Sequence, residues 1–198
     1  MKIRFFLYAL LISCIAILSC DNKKTYVPFQ EAEKYGFRTI HGDIAIKPQF
    51  EDVKTFSENL APVKKDGLWG YISPNEDMPI EFRFEEAGPF SEGLAPVKKD
   101  GVWGFIDPKG KFIIQPQYQE ARYFSEGLAP VKKDNAWGYI NTEGEVMLDF
   151  KYAAARQFTE GIGYVYMENR WYSIDTEGNI IVSEEEKNQD NQQEEAGE

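Results

Sequence analysis

Few residues in this chain have obvious chemical potential, and their spacing decides what they can do. Four glutamates, Glu58, Glu92, Glu126 and Glu160, recur in Ser-Glu-Asn or Ser/Thr-Glu-Gly contexts. Paired carboxylates perform general acid and base work when one asymmetric environment pushes their pKa values apart. A carboxylate placed once per repeat at a turn reads instead as a turn residue. His41 is the only histidine, with no Ser or Cys nucleophile pattern and no HExxH spacing near it. It reads as an exposed turn residue rather than a metal ligand or base. Cys14 and Cys20 both fall within the first twenty residues, which leaves the remainder without a disulfide or thiolate cage. No Gly-x-Gly-x-x-Gly phosphate loop is present. With 33 acidic against 22 basic residues and a net charge of -11, a broad basic face for nucleic acid is excluded. The expectation is a chain that is not an enzyme, with no cofactor, no metal site and no nucleic-acid partner.

The elements that carry these residues repeat. Phe56-Ser57-Glu58-Asn59-Leu60-Ala61-Pro62-Val63-Lys64-Lys65-Asp66-Gly67-Leu68-Trp69-Gly70 recurs from Phe90 and Phe124, with a worn copy from Phe158. The four tryptophans, Trp69, Trp103, Trp137 and Trp171, are spaced by 34 residues, and Tyr35-Gly36-Phe37 opens the array one step upstream. A 34-residue period also suits helical hairpins, but Gly93, Pro96, Gly101, Gly104, Pro108, Gly110 and Pro116 leave no room for an ordinary helix. Asp66-Gly67, Asp100-Gly101, Asp134-Asn135 and Glu168-Asn169 stand between apolar-rich runs and tolerate positive φ, which marks two-residue hairpins. A second turn at Asp107-Pro108-Lys109-Gly110 and its counterparts leads into β-branched runs such as Phe112-Ile113-Ile114. One unit is thus a three-stranded meander plus a connection, the latter a helical turn or a fourth strand.

These units resemble the bacterial WG (KWG) repeat proteins, named for the tryptophan-glycine pair. The resemblance covers residues 35–182 and implies an all-β architecture of tandem antiparallel hairpins and an interaction module rather than one fixed activity. The last unit departs from the pattern with Trp171-Tyr172 at the pair and Gly163 read against the proline, and in the unit from Phe56 Glu76 replaces the turn glycine. One unit is too small to hold a core, so copies must stack. An open twisted array is favoured over a closed propeller, which requires a whole number of blades.

The hairpin register sets two faces. Ala61, Val63, Leu68, Gly70 and Ile72 form a core face, with Gly70 admitting a neighbouring ring such as Phe56 onto the backbone. Lys64, Trp69 and Tyr71 lie on the other face, repeated as Lys98, Trp103, Phe105 and as Lys132, Trp137, Tyr139. If exposed, this stripe would stack on sugar rings or grip a partly acidic peptide. If buried, it is the glue between successive units.

The ends read as an address. Lys2 and Arg4 precede an apolar run from Phe5 to Leu18 that spans a bilayer poorly. Ile17-Leu18-Ser19-Cys20 resembles a bacterial lipobox, which implies a signal peptide over 1–19 and lipid attachment at Cys20. Leu11-Ile12-Ser13-Cys14 competes with it, and an uncleaved apolar anchor is the other reading. Residues 20–34 would be the lipidated cysteine and a tether, 35–182 the repeat domain (a partial unit 35–55, then units from 56, 90, 124 and 158), and 183–198 an acidic disordered tail. The expected protein is a lipoprotein of the cell envelope, anchored to an inner or outer membrane. It would act as a protein- or peptide-interaction module, or alternatively as a glycan-binding module through the stripe.

Overall fold

The computed structural model describes residues 25–181, so the expected signal peptide, Cys20 and the acidic tail lie outside the described residues. Within them the chain is all-β and makes five small antiparallel sheets in chain order. The first holds β1 (Tyr26–Glu31), β2 (Lys34–Thr39) and β3 (Ile44–Phe50); the second β4 (Asp52–Val53), β5 (Ala61–Lys65), β6 (Leu68–Ile72) and β7 (Ile80–Phe84). The third holds β8 (Glu86–Ala87), β9 (Ala95–Lys99), β10 (Val102–Ile106) and β11 (Phe112–Tyr118). The fourth holds β12 (Glu120–Ala121), β13 (Ala129–Lys133), β14 (Ala136–Ile140) and β15 (Val146–Tyr152). The fifth holds β16 (Ala154–Ala155), β17 (Gly163–Met167) and β18 (Arg170–Ile174).

Turn chemistry builds each blade. Asp66 and Gly67 take φ of 51° and 78°, the mirror-image turn whose twist matches the flanking strands. The pairs that follow set the two faces of the hairpin: Lys65 with Leu68, Lys64 with Trp69, Val63 with Gly70 and Pro62 with Tyr71. At the next turn the Asp107 carboxylate accepts the N–H groups of Lys109 and Lys111, both at 2.9 Å. The connection, left open by sequence, is a fourth strand. Each is two residues long and is followed by a second tight turn, as at Glu92-Gly93 with φ of 55° and 79°, which is incompatible with a helical turn.

Three expectations change. The tether does not extend to residue 34, because β1 begins at Tyr26 and pairs with β2 throughout, Pro28 facing Phe37 as Pro62 faces Tyr71. The opening unit is therefore a full hairpin, not the partial unit 35–55. In the last unit Gly163 pairs with Ile174 and Tyr164 with Ser173, as Ala129 pairs with Ile140 and Pro130 with Tyr139. Gly163 thus takes the alanine slot, and Tyr164 stands where the proline should be. Gly70 serves its own blade: a Cβ there would lie 2.7 Å from the carbonyl oxygen of Ile80 on β7, so the outer strand rather than Phe56 requires the glycine.

The blades stack face to face, which buries both sides of every internal hairpin. Trp69, Tyr71, Ile80 and Phe84 of the second blade form one cluster with Ala95, Val97 and Ile106 of the third. Phe105, Ile114 and Tyr118 meet Ala129, Val131 and Ile140 in the same way, and Trp137, Tyr139, Leu148 and Tyr152 meet Val165 and Ile174. An aromatic face always meets the small aliphatic face of the next blade, as close packing of unequal side chains demands. Phe90, Phe124 and Phe158 are fully buried as well, edge-on or tilted against Tyr71, Phe105 and Tyr139 at 4.9–5.1 Å. Leu68, assigned to the core face, is 38% exposed because it sits beside the hairpin turn at the rim. Among the described residues the array stays open, with a bare face at each end.

Candidate interaction face at the end of the array

The aromatic stripe is not a surface. Tyr71, Phe105 and Tyr139 are fully buried, Trp69 and Trp137 nearly so, and Trp103 half-buried; Lys64, Lys98 and Lys132 are half-buried along the rim. The internal rings cannot stack on a sugar, because the next blade already covers them. This removes the stripe as a glycan or peptide groove and makes its rings the cement between units. Burial also pushes the Tyr71 and Tyr139 phenols far above their ordinary range, so both remain neutral donors. Tyr71 donates to the carbonyl of Gly88 at 2.8 Å and Tyr139 to that of Arg156 at 2.7 Å, each reaching into the connection that starts the next blade.

The recurrent glutamates hold the turns in line. Glu58 accepts the N–H of Gly93 at 3.0 Å, Glu92 that of Gly127 at 2.9 Å and Glu126 that of Gly161 at 2.8 Å. The serine beside each makes the matching contact: Ser57 donates to the Phe90 carbonyl, Ser91 to that of Phe124 and Ser125 to that of Phe158. At the last turn neither Thr159 nor Glu160 finds such a partner among the described residues. These carboxylates are structural latches. His41 lies on the rim of an open hollow of about 510 Å3 at the other end of the array, beside Tyr26, Thr39 and Asp43. Among the described residues no three His, Cys, Asp or Glu side chains gather as a metal site would require.

The exposed aromatic face is the one with no next blade among the described residues. Trp171 on β18 is 44% exposed and Tyr164 on β17 is 45% exposed, both on the side that internal blades bury. Arg156, just after β16, lies over the Trp171 ring with its guanidinium carbon 4.5 Å from the centroid, a contact that holds an indole in place while leaving it wet. Arg122, one repeat earlier, lies over Trp137 at 5.4 Å, and Lys54 over Trp69 at 5.0 Å. Arg122, Tyr123, Arg156, Tyr164 and Trp171 together line an open hollow of about 560 Å3. Sequence reasoning missed Arg122, Arg156, Tyr123 and Tyr164. The available signal was the cation at 54, 122 and 156 in repeat register and the tyrosine in the proline slot. At the opposite end Arg38 covers Phe29 at 5.6 Å, and Ile40 and Ile44 are exposed.

A row of like blades glued ring to aliphatic and latched turn to turn, and left open among the described residues, defines a β-repeat protein with propeller-like blades. The model of the WG containing repeat matches residues 35–69, 69–103, 103–135 and 137–171, and the chain belongs to the WG repeat family. No curated protein matches the sequence. Among solved structures the chain is similar to Kluyveromyces lactis Hsv2p (10% identity, TM-score 0.55, covering 82% of this chain and 63% of that one). It is likewise similar to KlHsv2 with loop 6CD replaced by a Gly-Ser linker (9% identity, TM-score 0.56, 79% and 61%). A eukaryotic initiation factor gives 11% identity, a TM-score of 0.54, and coverage of 81% and 51%. The chain thus spans about three fifths of the length of the first solved chains it matches. At such identities the likeness concerns the fold alone.

Proposed function

We propose that this WG repeat protein is a lipid-anchored, non-catalytic interaction module of the cell envelope, and that it engages a protein or peptide partner through the C-terminal end of its array. The observation that carries the reading is the uncovered aromatic and cationic face of the fifth blade. A ring pair and an arginine held in place without a covering blade are the ingredients of an interface anchor. The lipobox supports the anchoring: Cys20 would carry the lipid, and β1 starts six residues later, so the first blade would sit within roughly 20 Å of the membrane. The end face, on the fifth blade, is then the end that the tether leaves available.

A photo-crosslinking residue at position 164 of the full chain, in intact envelopes, tests this. The expected result is a discrete adduct that Trp171→Ala abolishes and Phe29→Ala at the opposite end does not. An adduct pattern unchanged by Trp171→Ala would overturn the assignment of the face. Anchoring is tested separately: Cys20→Ala should release the protein from membranes, whereas Cys14→Ala should not.

A further inference from the structure

We infer that the acidic segment 182–186, which follows the last described strand pairing, docks on the open edge of β18 as the outer strand of the fifth blade and sets the Glu186 carboxylate beside Arg156. The first four blades share one register. Opposite Phe37, Tyr71, Phe105 and Tyr139 stand the aliphatic residues Ile46, Ile80, Ile114 and Leu148. Opposite Tyr35, Trp69, Trp103 and Trp137 stand the aromatic residues Phe50, Phe84, Tyr118 and Tyr152. In the fifth blade the same register has begun: Ile174 bridges Ile180 as Ile140 pairs with Val146, and the N–H of Ile181 donates to the carbonyl of Ser173 at 2.9 Å.

Continued at that offset, Val182 falls opposite Ser173 and Glu186 opposite Trp171. Val182 keeps the aliphatic slot. Glu186 replaces the aromatic one, where the described residues provide no sixth blade to cover a ring. Directly opposed residues of an antiparallel pair share a face, so Glu186 arrives on the face where Arg156 lies over Trp171. Neither Arg156 nor Arg122 has a carboxylate partner among the described residues. The segment from Ser183 to Glu198 carries seven acidic residues and one lysine, which complements those cations. The β18 edge beyond Ser173 has no strand partner among the described residues, and such an edge is a template for an added strand.

The consequence rests on the proposed docking face: with segment 182–186 in place the end face presents rings and a neutralised arginine, and a partner would meet the tail as part of the surface. Hydrogen exchange on the purified full chain, without any partner, tests the inference, so its failure leaves the docking reading untouched. The expected result is that amides of 170–173 exchange at least tenfold more slowly in the full chain than in a chain ending at Ile181. Amides of β17 should be unchanged between the two, and adding a peptide of residues 182–198 should restore the protection. Glu186→Lys in the full chain should also lose it, and Arg156→Glu combined with Glu186→Lys should regain it. Equal exchange with and without the tail, or indifference to Glu186→Lys, would overturn the inference. Protection that rises with protein concentration would overturn it too, by assigning the edge to a second copy.

Discussion

The tyrosine hydroxyls show how a single atom joins two blades. Tyr71 and Tyr139 donate to carbonyls of the following connection, whereas Phe105 occupies the same slot with no hydroxyl and an equally buried ring. Tyr139→Phe is therefore expected to cost about 1 kcal/mol, the net worth of one hydrogen bond, with no change in fold. Urea unfolding of the two forms checks this. Gly104→Ala is expected to be far worse, because its Cβ would stand 2.7 Å from the Ile114 carbonyl oxygen and the Pro116 nitrogen. A loss of about 2 kcal/mol or more follows, since backbone rather than a flexible side chain must yield. Glu51 gives a pH signature. Its carboxylate accepts the N–H groups of Gly67 and Asp66 at 3.0 and 2.9 Å, and the Gly67 bond above all holds its pKa below the ordinary 4.5. A carboxyl depressed on folding stabilises above its unfolded pKa, and that contribution disappears as pH falls through the folded value. Acid below about pH 4.5 should therefore lower the protection of the Asp66-Gly67 turn amides relative to their intrinsic exchange rate at the same pH, and Glu51→Gln should flatten that dependence.

Among the elements, the tight turns were the most legible part of the sequence and the packing of the strands the least. Asp-Gly and Asp-Asn pairs state their positive φ directly, so hairpin position and register could be read to the residue. Alternation separates two faces but says nothing about what covers each. Val63 and Tyr71 look like opposites on paper, yet both are fully buried because blades stack on both sides. β1 escaped notice for a related reason: Tyr26–Glu31 shares little with Ala61–Lys65 beyond Pro28, and its turn is Ala32-Glu33 rather than Asp-Gly. Those two residues carry φ of 48° and 64°, a conformation that costs a residue with a Cβ about 1–2 kcal/mol relative to glycine. Glu33→Gly is accordingly expected to stabilise the first blade by up to about 1 kcal/mol, seen as a raised melting temperature. The candidate face was legible only as an irregularity. Arg156 and Tyr164 carry no motif, and only the absence of a covering blade makes their contacts with solvent meaningful.

On the scale of the whole molecule, the array behaves as a short one-dimensional stack in which each blade is held by its neighbours. The first blade offers only its aromatic face to a neighbour and the fifth only its aliphatic face, so fraying should proceed from both ends while the third blade exchanges last. The same logic separates the tryptophans. Trp69 and Trp137 are glue under a neighbouring blade, and Trp171 is surface. Iodide quenching of tryptophan fluorescence, measured beside urea unfolding for Trp69→Phe, Trp137→Phe and Trp171→Phe in the full chain, tests this division most directly. The account predicts that Trp171→Phe removes most of the quenchable emission with little loss of stability. Trp69→Phe and Trp137→Phe should leave the quenchable fraction in place and cost about 1–3 kcal/mol each, as lost core packing does. If instead Trp137 carried the quenchable emission and its replacement cost nothing, the blades would not be stacked as described, and the aromatic stripe would be a surface after all.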